Sequence, residues 1–317
     1  AVRDALGSAF HNIYAEGYAF DLTGGLSEEE LFDFDKLLVE YRRFSDDRYY
    51  KGVEYADILE ALACQRAAQA FAANGKKPLD IYVNVQPLSG SPANNAVYHG
   101  LLNIGDTVMG MNLLHGGHLS HGSRVNRSGE YYDIIPYSVD PETERIDYDE
   151  LARLAEEHKP KMIIAGVSSY SWALDWEQFS DIAHHVGAYL LADISHVSGM
   201  VVTGHYPSPI GYADIISTTT HKTLCGPRGA ILMSTDLDII EKIDRAVFPG
   251  EQGGPHVNVF GAMALAFKLA QTKQFEELQR QIIKNCVVLT EQLEKRGFRI
   301  PFGGTNTHLM NIDAKSV

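Results

Sequence analysis

Short apolar runs alternate with longer amphipathic stretches between residues 81 and 234 of this chain. Such alternation is typical of an α/β domain, in which helices cross over between neighbouring parallel strands. Two of the runs, MIIAGV (162–167) and AYLLA (188–192), are apolar throughout, which indicates strands that helices bury on both faces. The pattern therefore predicts an α/β fold with a largely parallel sheet and flanking helices.

The same pattern places the individual elements. Strands are expected at 81–86, 107–112, 161–167, 187–193, 213–219 and 229–234. Helices are expected at 55–75, 91–103, 147–158 and 175–186, with a long helical stretch over about 257–297. Asn74 and Gly75 resemble a C-cap pair, so we expect them to close the first of these helices.

The charge balance argues against two classes of partner. With 27 Lys and Arg against 41 Asp and Glu, the formal charge is 27 − 41 = −14, and no basic run provides a surface for nucleic acid or an anionic membrane. No apolar stretch approaches the roughly 20 residues of a membrane-spanning helix, and the first residues do not resemble a signal peptide. Three scattered cysteines give no disulfide framework. We therefore expect a cytoplasmic protein.

Part of the acidity is concentrated in one segment. Residues 19–47 hold nine acids and three bases, a net charge of −6. Ser27 and Glu30 form a capping-box pattern, and apolar residues follow at helical spacing, which predicts a short amphipathic helix with Leu31, Phe34, Leu38 and Tyr41 on one face. A surface insertion is the favoured interpretation, and a partner-docking or lid element is the alternative.

Two residues at strand ends carry the strongest chemical signal. Lys222 follows the strand at 213–219 and lies beside His221, where burial would lower the pKa of the amine and favour a Schiff-base nucleophile. A solvated loop lysine is the alternative on spacing alone. Asp193 ends another apolar strand, and a carboxylate buried there needs a cation. The protonated ring nitrogen of pyridoxal phosphate is such a cation, and Asp with a Schiff-base Lys suits that cofactor.

Two further stretches fit the same cofactor. Ser89, Gly90 and Ser91 form a turn before a helix, where hydroxyls and backbone N–H groups can hold a phosphate. Three histidines follow at spacing three, and one imidazole could stack on the cofactor ring; they are His115, His118 and His121. A zinc site is the alternative, but the Gly-Gly pair makes a regular helix unfavourable and no carboxylate or thiolate lies close in sequence. We expect no metal.

Several strings together resemble one family, the serine hydroxymethyltransferases, which are fold-type I pyridoxal phosphate enzymes of the aspartate-aminotransferase-like class. They run in the family's order from about Ala1 to the end of the chain, and they are NIYAEGY, RYYKGVEY, QPLSGSPAN, MNLLHGGHLSHGS, ADISH, TTTHKT with GPRG, and FPGEQGGP. The resemblance implies a large domain with a mostly parallel sheet and flanking helices.

The resemblance also implies site residues. The cofactor would be held by Lys222, Asp193, His196, His118, Ser168, Ser89, Gly90, Ser91 and Arg228, joined by Tyr14 and Gly254 from the second subunit of a dimer. Lys222 would bind it covalently, Asp193 would pair with the pyridine nitrogen and His118 would stack on the ring. The chemical step would use Lys222, Glu16, Tyr50 and His221, and substrate would meet Glu16, Tyr49, Tyr50 and His196. Without the resemblance, the tyrosines are equally ordinary core or interface aromatics.

The implied reaction moves the hydroxymethyl group of L-serine to tetrahydrofolate, giving glycine and 5,10-methylenetetrahydrofolate, in a homodimer or a tetramer. The alternatives are a threonine-aldolase-like or other fold-type I activity, and a non-catalytic paralogue or fragment that binds the cofactor or a partner.

The chain departs from the family in several places, among them a small insertion around Lys76 to Asp80. The family joins AEGY to RYY by a short link, whereas the acidic segment 19–47 intervenes here. The chain also starts without Met and stops in NIDAKSV, so we expect a piece of a longer protein, lacking the arginine that clamps the substrate carboxylate. We expect an N-terminal arm at the dimer interface (1–75), a cofactor-binding large domain (76–273) and the start of a small C-terminal domain (274–317).

Overall fold

A seven-stranded sheet organises the protein in a computed structural model that describes residues 1–43 and 48–316. The strands are β1 (Tyr82–Asn84), β2 (Thr107–Met111), β3 (Asp133–Tyr137), β4 (Met162–Gly166), β5 (Tyr189–Asp193), β6 (Ile215–Thr219) and β7 (Ala230–Ser234). Their order is β1-β7-β6-β5-β4-β2-β3. β7 pairs antiparallel with both of its neighbours, whereas the other pairs are parallel. The predicted α/β class with a mostly parallel sheet is therefore confirmed.

Helices cover both faces of this sheet. They are α1 (Val2–Leu6), α2 (Glu28–Leu31), α3 (Phe34–Arg43), α4 (Glu54–Phe71), α5 (Gly90–Leu101), α6 (Arg127–Tyr131), α7 (Tyr148–His158), α8 (Trp176–His185), α9 (Ser198–Val202), α10 (Leu237–Arg245), α11 (Val257–Ala270) and α12 (Lys273–Glu294). Met162 and Ile164 of β4 pack in the cluster that contains α5 and α10, and Ile163 packs in the cluster of α4, α8 and α11. Each face of the central strands therefore has its own apolar layer, as their sequences predict.

One strand of the sheet, β3, is not predicted from the sequence. β3 lies at the edge of the sheet and contains Pro136. A proline lacks the N–H that a central strand needs, so it weakens the strand pattern but is tolerated at an edge. The six strands that the pattern does predict all lie within their expected ranges.

Two helix ends differ from expectation. α4 ends at Phe71 instead of 75, and Asn74 and Gly75 form a separate turn with φ of 53° and 80°. The side-chain amide of Asn74 donates hydrogen bonds to the backbone carbonyls of Ser208 and Ile210. The residue expected to cap the helix therefore makes tertiary contacts instead. The helical stretch expected over 257–297 is two helices, because Thr272 caps a new start at α12.

The acidic segment is packed against the body of the protein. Its capping box forms as predicted, and Leu31 and Tyr41 are buried as predicted. Phe34, however, is 41% exposed, and Leu37 is buried where Leu38 was expected. The break between α2 and α3 shifts the helical phase, which is why Leu37 takes the place expected for Leu38. Residues 44–47 of the segment lie outside the described residues.

Gly117→Ala is expected to lower the free energy of unfolding by about 1–3 kcal/mol. A Cβ at this position would lie 2.1 Å from the carbonyl oxygen of Met111, and backbone cannot move aside at little cost. Gly24→Ala is the control, because nothing lies within 4 Å of a Cβ built there. Equilibrium denaturation compares the two variants, and equal stability would contradict this packing.

Candidate active site

A cavity of about 220 Å³ opens at the carboxyl ends of β4, β5 and β6. This edge is where parallel sheets place their ligand sites. The cavity is lined by Ser89, Gly90, Ser91, His118, His121, Val167, Ser168, Asp193, Ser195, His196, Thr219, His221, Lys222 and Arg228. Ten residues that the sequence assigns to the cofactor or the chemical step are among them, although they come from six separate stretches of the chain.

Asp193 is the anionic centre of this cavity. As the last residue of β5 it is buried, and its Oδ2 accepts hydrogen bonds from His121 Nε2 at 2.9 Å and Asn94 Nδ2 at 3.0 Å. Its Oδ1 accepts the backbone N–H of Ser195 at 3.0 Å. Burial alone would raise the pKa of Asp193, but these bonds and the His121 charge hold it well below its usual value. The carboxylate is therefore ionised.

Two of these partners were not assigned this role from the sequence. Asn94 lies on α5, and its amide Nδ2 also donates to Ser120 Oγ at 2.9 Å. His121 belongs to the predicted histidine trio, but only His118 received a role. Both are distant from Asp193 along the chain, so no local motif links them to the carboxylate that they bind.

Lys222 lies three residues beyond the end of β6. The threonines around it are buried and hold its turn: Thr220 Oγ1 donates to the Pro227 carbonyl at 2.6 Å, and Thr223 Oγ1 donates to the His196 carbonyl at 2.8 Å. Burial lowers the pKa of the Lys222 ammonium, while Asp193 opposes the shift. The uncharged, nucleophilic form of the amine is therefore more accessible than in water.

A helix N-terminus faces the same cavity. α5 begins at Gly90, and the Ser89 hydroxyl does not cap it. Gly90 is required by close packing, because a Cβ there would lie 2.8 Å from Thr219 Cγ2. Ser89, Gly90 and Ser91 thus present backbone N–H groups and hydroxyls to the cavity at the positive end of a helix dipole. This arrangement suits a phosphate group.

Uncharged imidazoles line another part of the cavity. Burial, together with the nearby Lys222, lowers the pKa of His196 to about 4. Burial also lowers the pKa of His118, whose Nδ1 is 2.8 Å from Ser120 Oγ. Both rings are therefore neutral near pH 7. A neutral imidazole can stack on an aromatic ring or hydrogen-bond to it without adding charge.

Five predicted site residues do not line the cavity. Tyr14, Glu16, Tyr49, Tyr50 and Gly254 instead lie beside one another, and we call them the tyrosine cluster. Tyr14 donates from its hydroxyl to Glu16 Oε1 at 3.1 Å, and its ring centroid is 4.9 Å from that of Tyr50. A Cβ on Gly254 would lie 3.5 Å from the Tyr14 ring.

The tyrosine cluster is accessible to solvent. Tyr14 is 55% exposed and Tyr49 is 68% exposed, and the Tyr49 ring packs edge-on against Phe248 at 5.3 Å. The hydrogen bond to Glu16 raises the pKa of the Tyr14 phenol. The candidate functional residues thus fall into two groups on this chain, a cavity and an exposed cluster.

The described part of the chain holds neither a cluster of metal ligands nor a membrane-spanning helix. Among the described residues, no three His, Cys, Asp or Glu side chains converge as a cation site. The rings of His118 and His121 lie 5.4 Å apart, but His121 binds Asp193. Within residues 1–43 and 48–316, no helix combines the length and the apolar character needed to cross a membrane.

The cavity fits pyridoxal phosphate group by group. An ionised, buried carboxylate suits the protonated ring nitrogen, a lysine with a lowered pKa suits the aldehyde, and the N-terminus of α5 suits the phosphate. These three features around one cavity, at the carboxyl edge of this α/β sheet, define a fold-type I pyridoxal phosphate-dependent enzyme.

A comparison with protein families identifies the chain more closely. The family model described as serine hydroxymethyltransferase matches residues 40–317. The chain belongs to this family of pyridoxal phosphate-dependent, folate-using transferases, as the motifs predict. Tyr14 and Glu16 precede the matched residues, but the Tyr14 ring packs against Tyr50 and the Glu16 carbonyl accepts from the Tyr49 amide, and both partners lie within the match.

Proposed function

We propose that the protein transfers the hydroxymethyl group of L-serine to tetrahydrofolate, giving glycine and 5,10-methylenetetrahydrofolate. The observation that carries this proposal is the convergence of Lys222, Asp193 and the N-terminus of α5 on one cavity, in a chain of the serine hydroxymethyltransferase family. The family supplies the substrate class, and the cavity supplies the groups that the cofactor requires.

Each part of the cofactor has a proposed partner. Lys222 would bind it covalently, Asp193 would pair with the ring nitrogen, and His118 would stack on the ring. Ser168 and His196 would lie near the phenolic oxygen, and Ser89, Gly90 and Ser91 would hold the phosphate. His221 and Arg228 line the same cavity. When bound, pyridoxal phosphate supplies an acceptor for the electron pair that is released as the Cα–Cβ bond of serine breaks.

The protein's own residues prepare this chemistry. Asp193 would favour a proton on the ring nitrogen of the cofactor, because hydrogen bonds from His121 and Asn94 hold its carboxylate ionised. The Lys222 amine loses its proton more readily than a solvated lysine, so it would be available as the neutral nucleophile that the aldehyde of the cofactor requires.

The tyrosine cluster has a proposed role in a homodimer. Because it does not line the cavity of its own chain, we propose that Tyr14 and Gly254 complete the phosphate site of the partner subunit. Glu16 would move a proton at the serine hydroxyl or the folate, and Tyr49 and Tyr50 would line the substrate. The exposure of Tyr14 and Tyr49 supports this proposal, because a surface that completes another site must be open in the isolated chain.

The proposal extends to the organisation of the chain. Residues 1–75 would form an arm at the dimer interface, residues 76–273 the cofactor domain, and residues 274–317 part of a small domain. We propose a cytoplasmic location for the protein.

Glycine production tests the proposed reaction. The protein loaded with pyridoxal phosphate should form glycine from L-serine at a rate that depends on added tetrahydrofolate. The same reaction without tetrahydrofolate is the control. Bound cofactor with no folate-dependent glycine would retain the cofactor assignment and reject the transferase activity.

A further inference from the structure

Arg48 is buried beneath the tyrosine cluster. Its side chain is inaccessible to solvent, with Nε bound to Asp57 and Nη2 bound to Glu60, two carboxylates of α4. The remaining nitrogen, Nη1, donates to the backbone carbonyls of Ala15 at 2.7 Å and Gly17 at 3.1 Å. One guanidinium therefore joins helix α4 to the loop that carries Glu16.

The same loop has two further supports. Gln86 Nε2 donates to the Gly17 carbonyl at 2.8 Å and to Glu60 Oε1 at 2.7 Å. Tyr49 N donates to the Glu16 carbonyl at 2.9 Å. Gly17 has a φ of 107°, in the left-handed region that favours glycine, which turns its carbonyl into this network.

The acidic segment reaches the network as well. The Tyr41 hydroxyl donates to Asp57 Oδ2 at 3.0 Å, and Tyr41 packs with Leu37 and Ile58 in a small apolar cluster. Tyr41 and Arg48 thus bind opposite oxygens of the Asp57 carboxylate. A continuous chain of contacts leads from the segment through Asp57 and Arg48 to the loop beneath Tyr14.

We propose that Arg48 is a positioning residue that fixes Tyr14 and Glu16 through the carbonyls of Ala15 and Gly17, and that Tyr41 couples the acidic segment to this loop through Asp57. The proposal rests on the proposed function only in so far as Tyr14 and Glu16 act in the reaction. The contacts themselves are independent of that role.

The chemistry of the guanidinium makes the proposal testable. Arginine carries five donors in a fixed planar fork, so it can serve two carboxylates and two carbonyls at once. The ammonium of a lysine keeps the positive charge but is a single nitrogen on a flexible stem. Arg48→Lys is therefore expected to keep the charge between Asp57 and Glu60 and to lose donation to the loop. Complete removal of the charge would leave two buried carboxylates uncompensated and unfold the protein.

Arg66→Lys provides the matched control. Arg66 is also buried, binds the carboxylate of Glu28 and donates to the backbone carbonyl of Ala264 at 3.1 Å. The exchange of Arg for Lys is thus chemically the same in both variants. Arg66 binds the segment at Glu28 of α2 but contacts neither Asp57, Tyr41 nor the loop of Glu16, so it lies off the proposed path. Tyr41→Phe tests the coupling to the segment, with Tyr55→Phe, an exposed tyrosine of α4, as its control.

Deuterium-exchange mass spectrometry of the intact protein measures the stability of the loop independently of enzymatic activity. The Tyr49 amide is the reporter because its acceptor is the Glu16 carbonyl. In Arg48→Lys we expect its exchange to be roughly tenfold faster, as for the loss of one net hydrogen bond. Tyr41→Phe should give a smaller increase in the same fragment. Arg66→Lys and Tyr55→Phe should leave it unchanged.

Four outcomes test the positioning role and the coupling. Faster exchange in Arg48→Lys with a lower kcat supports the positioning role together with the proposed function. Faster exchange with an unchanged kcat supports positioning and contradicts the role given to Glu16 and Tyr14. Unchanged exchange at Tyr49, or an equal increase in Arg66→Lys, would overturn the proposal whatever the activity. Exchange in Tyr41→Phe equal to that of the unaltered protein would overturn the coupling to the segment.

Discussion

Lys222→Ala is expected to abolish the visible absorbance of protein-bound pyridoxal phosphate and to lower glycine production by several orders of magnitude. Lys222 is the lysine that lines the cavity, and burial lowers the pKa of its amine. An alanine provides no nitrogen for a covalent bond, so the cofactor can only bind through its phosphate and ring.

Lys161→Ala is the matched control for this experiment. Lys161 is exposed and precedes β4, so it lies at the opposite edge of the same sheet from the cavity. Its loss is expected to change neither the absorbance nor the rate. If the Lys222 variant kept the absorbance of the unaltered protein, the cofactor assignment to this lysine would be rejected.

Asp193→Asn is expected to lower kcat by about 10²- to 10³-fold, because a neutral amide cannot stabilise a protonated ring nitrogen in a buried site. The substitution preserves the shape of the side chain. It also loses acceptors that His121 and Asn94 now use, so the free energy of unfolding should fall by about 1–3 kcal/mol. Steady-state kinetics and denaturation measure the two effects separately.

Asp214→Asn separates the electrostatic effect from the structural one. Asp214 lies at the other edge of the sheet, accepts from the backbone N–H of Leu190 at 2.7 Å and lies 3.1 Å from His184 Nε2. Like Asp193 it is an aspartate with a histidine and a backbone partner. We expect a loss of stability and an unaltered kcat. A kcat that fell equally in both variants would show that stability, and not the charge at the cofactor, determines the rate.

The sequence predicts those parts of the fold that local patterns determine. The apolar β4 and β5 are recognisable because each buries both faces, and Ser27 with Glu30 is recognisable because a capping box spans only four residues. β3 is missed because Pro136 interrupts its pattern. Leu37 is missed because the break before α3 resets the helical phase, which spacing alone does not reveal.

The candidate site also contains some features that the sequence predicts and others that it does not. Lys222 and Asp193 follow strands that the pattern locates, so their meeting at one sheet edge can be predicted. The hydrogen bonds of Asp193 to Asn94 and His121 cannot, because they join residues 99 and 72 positions apart. Arg48 is also invisible to local patterns, since its partners come from α4 and from a loop that precedes it.

The most direct test of the central claim is to locate the cofactor on the chain. Borohydride reduction of the protein loaded with pyridoxal phosphate, followed by digestion and mass spectrometry, fixes the cofactor to the lysine that holds it. We expect the added pyridoxyl mass on the fragment that contains Lys222, and not on Lys161. A modified lysine elsewhere, or no modified fragment from a visibly coloured protein, would contradict the site described for this chain.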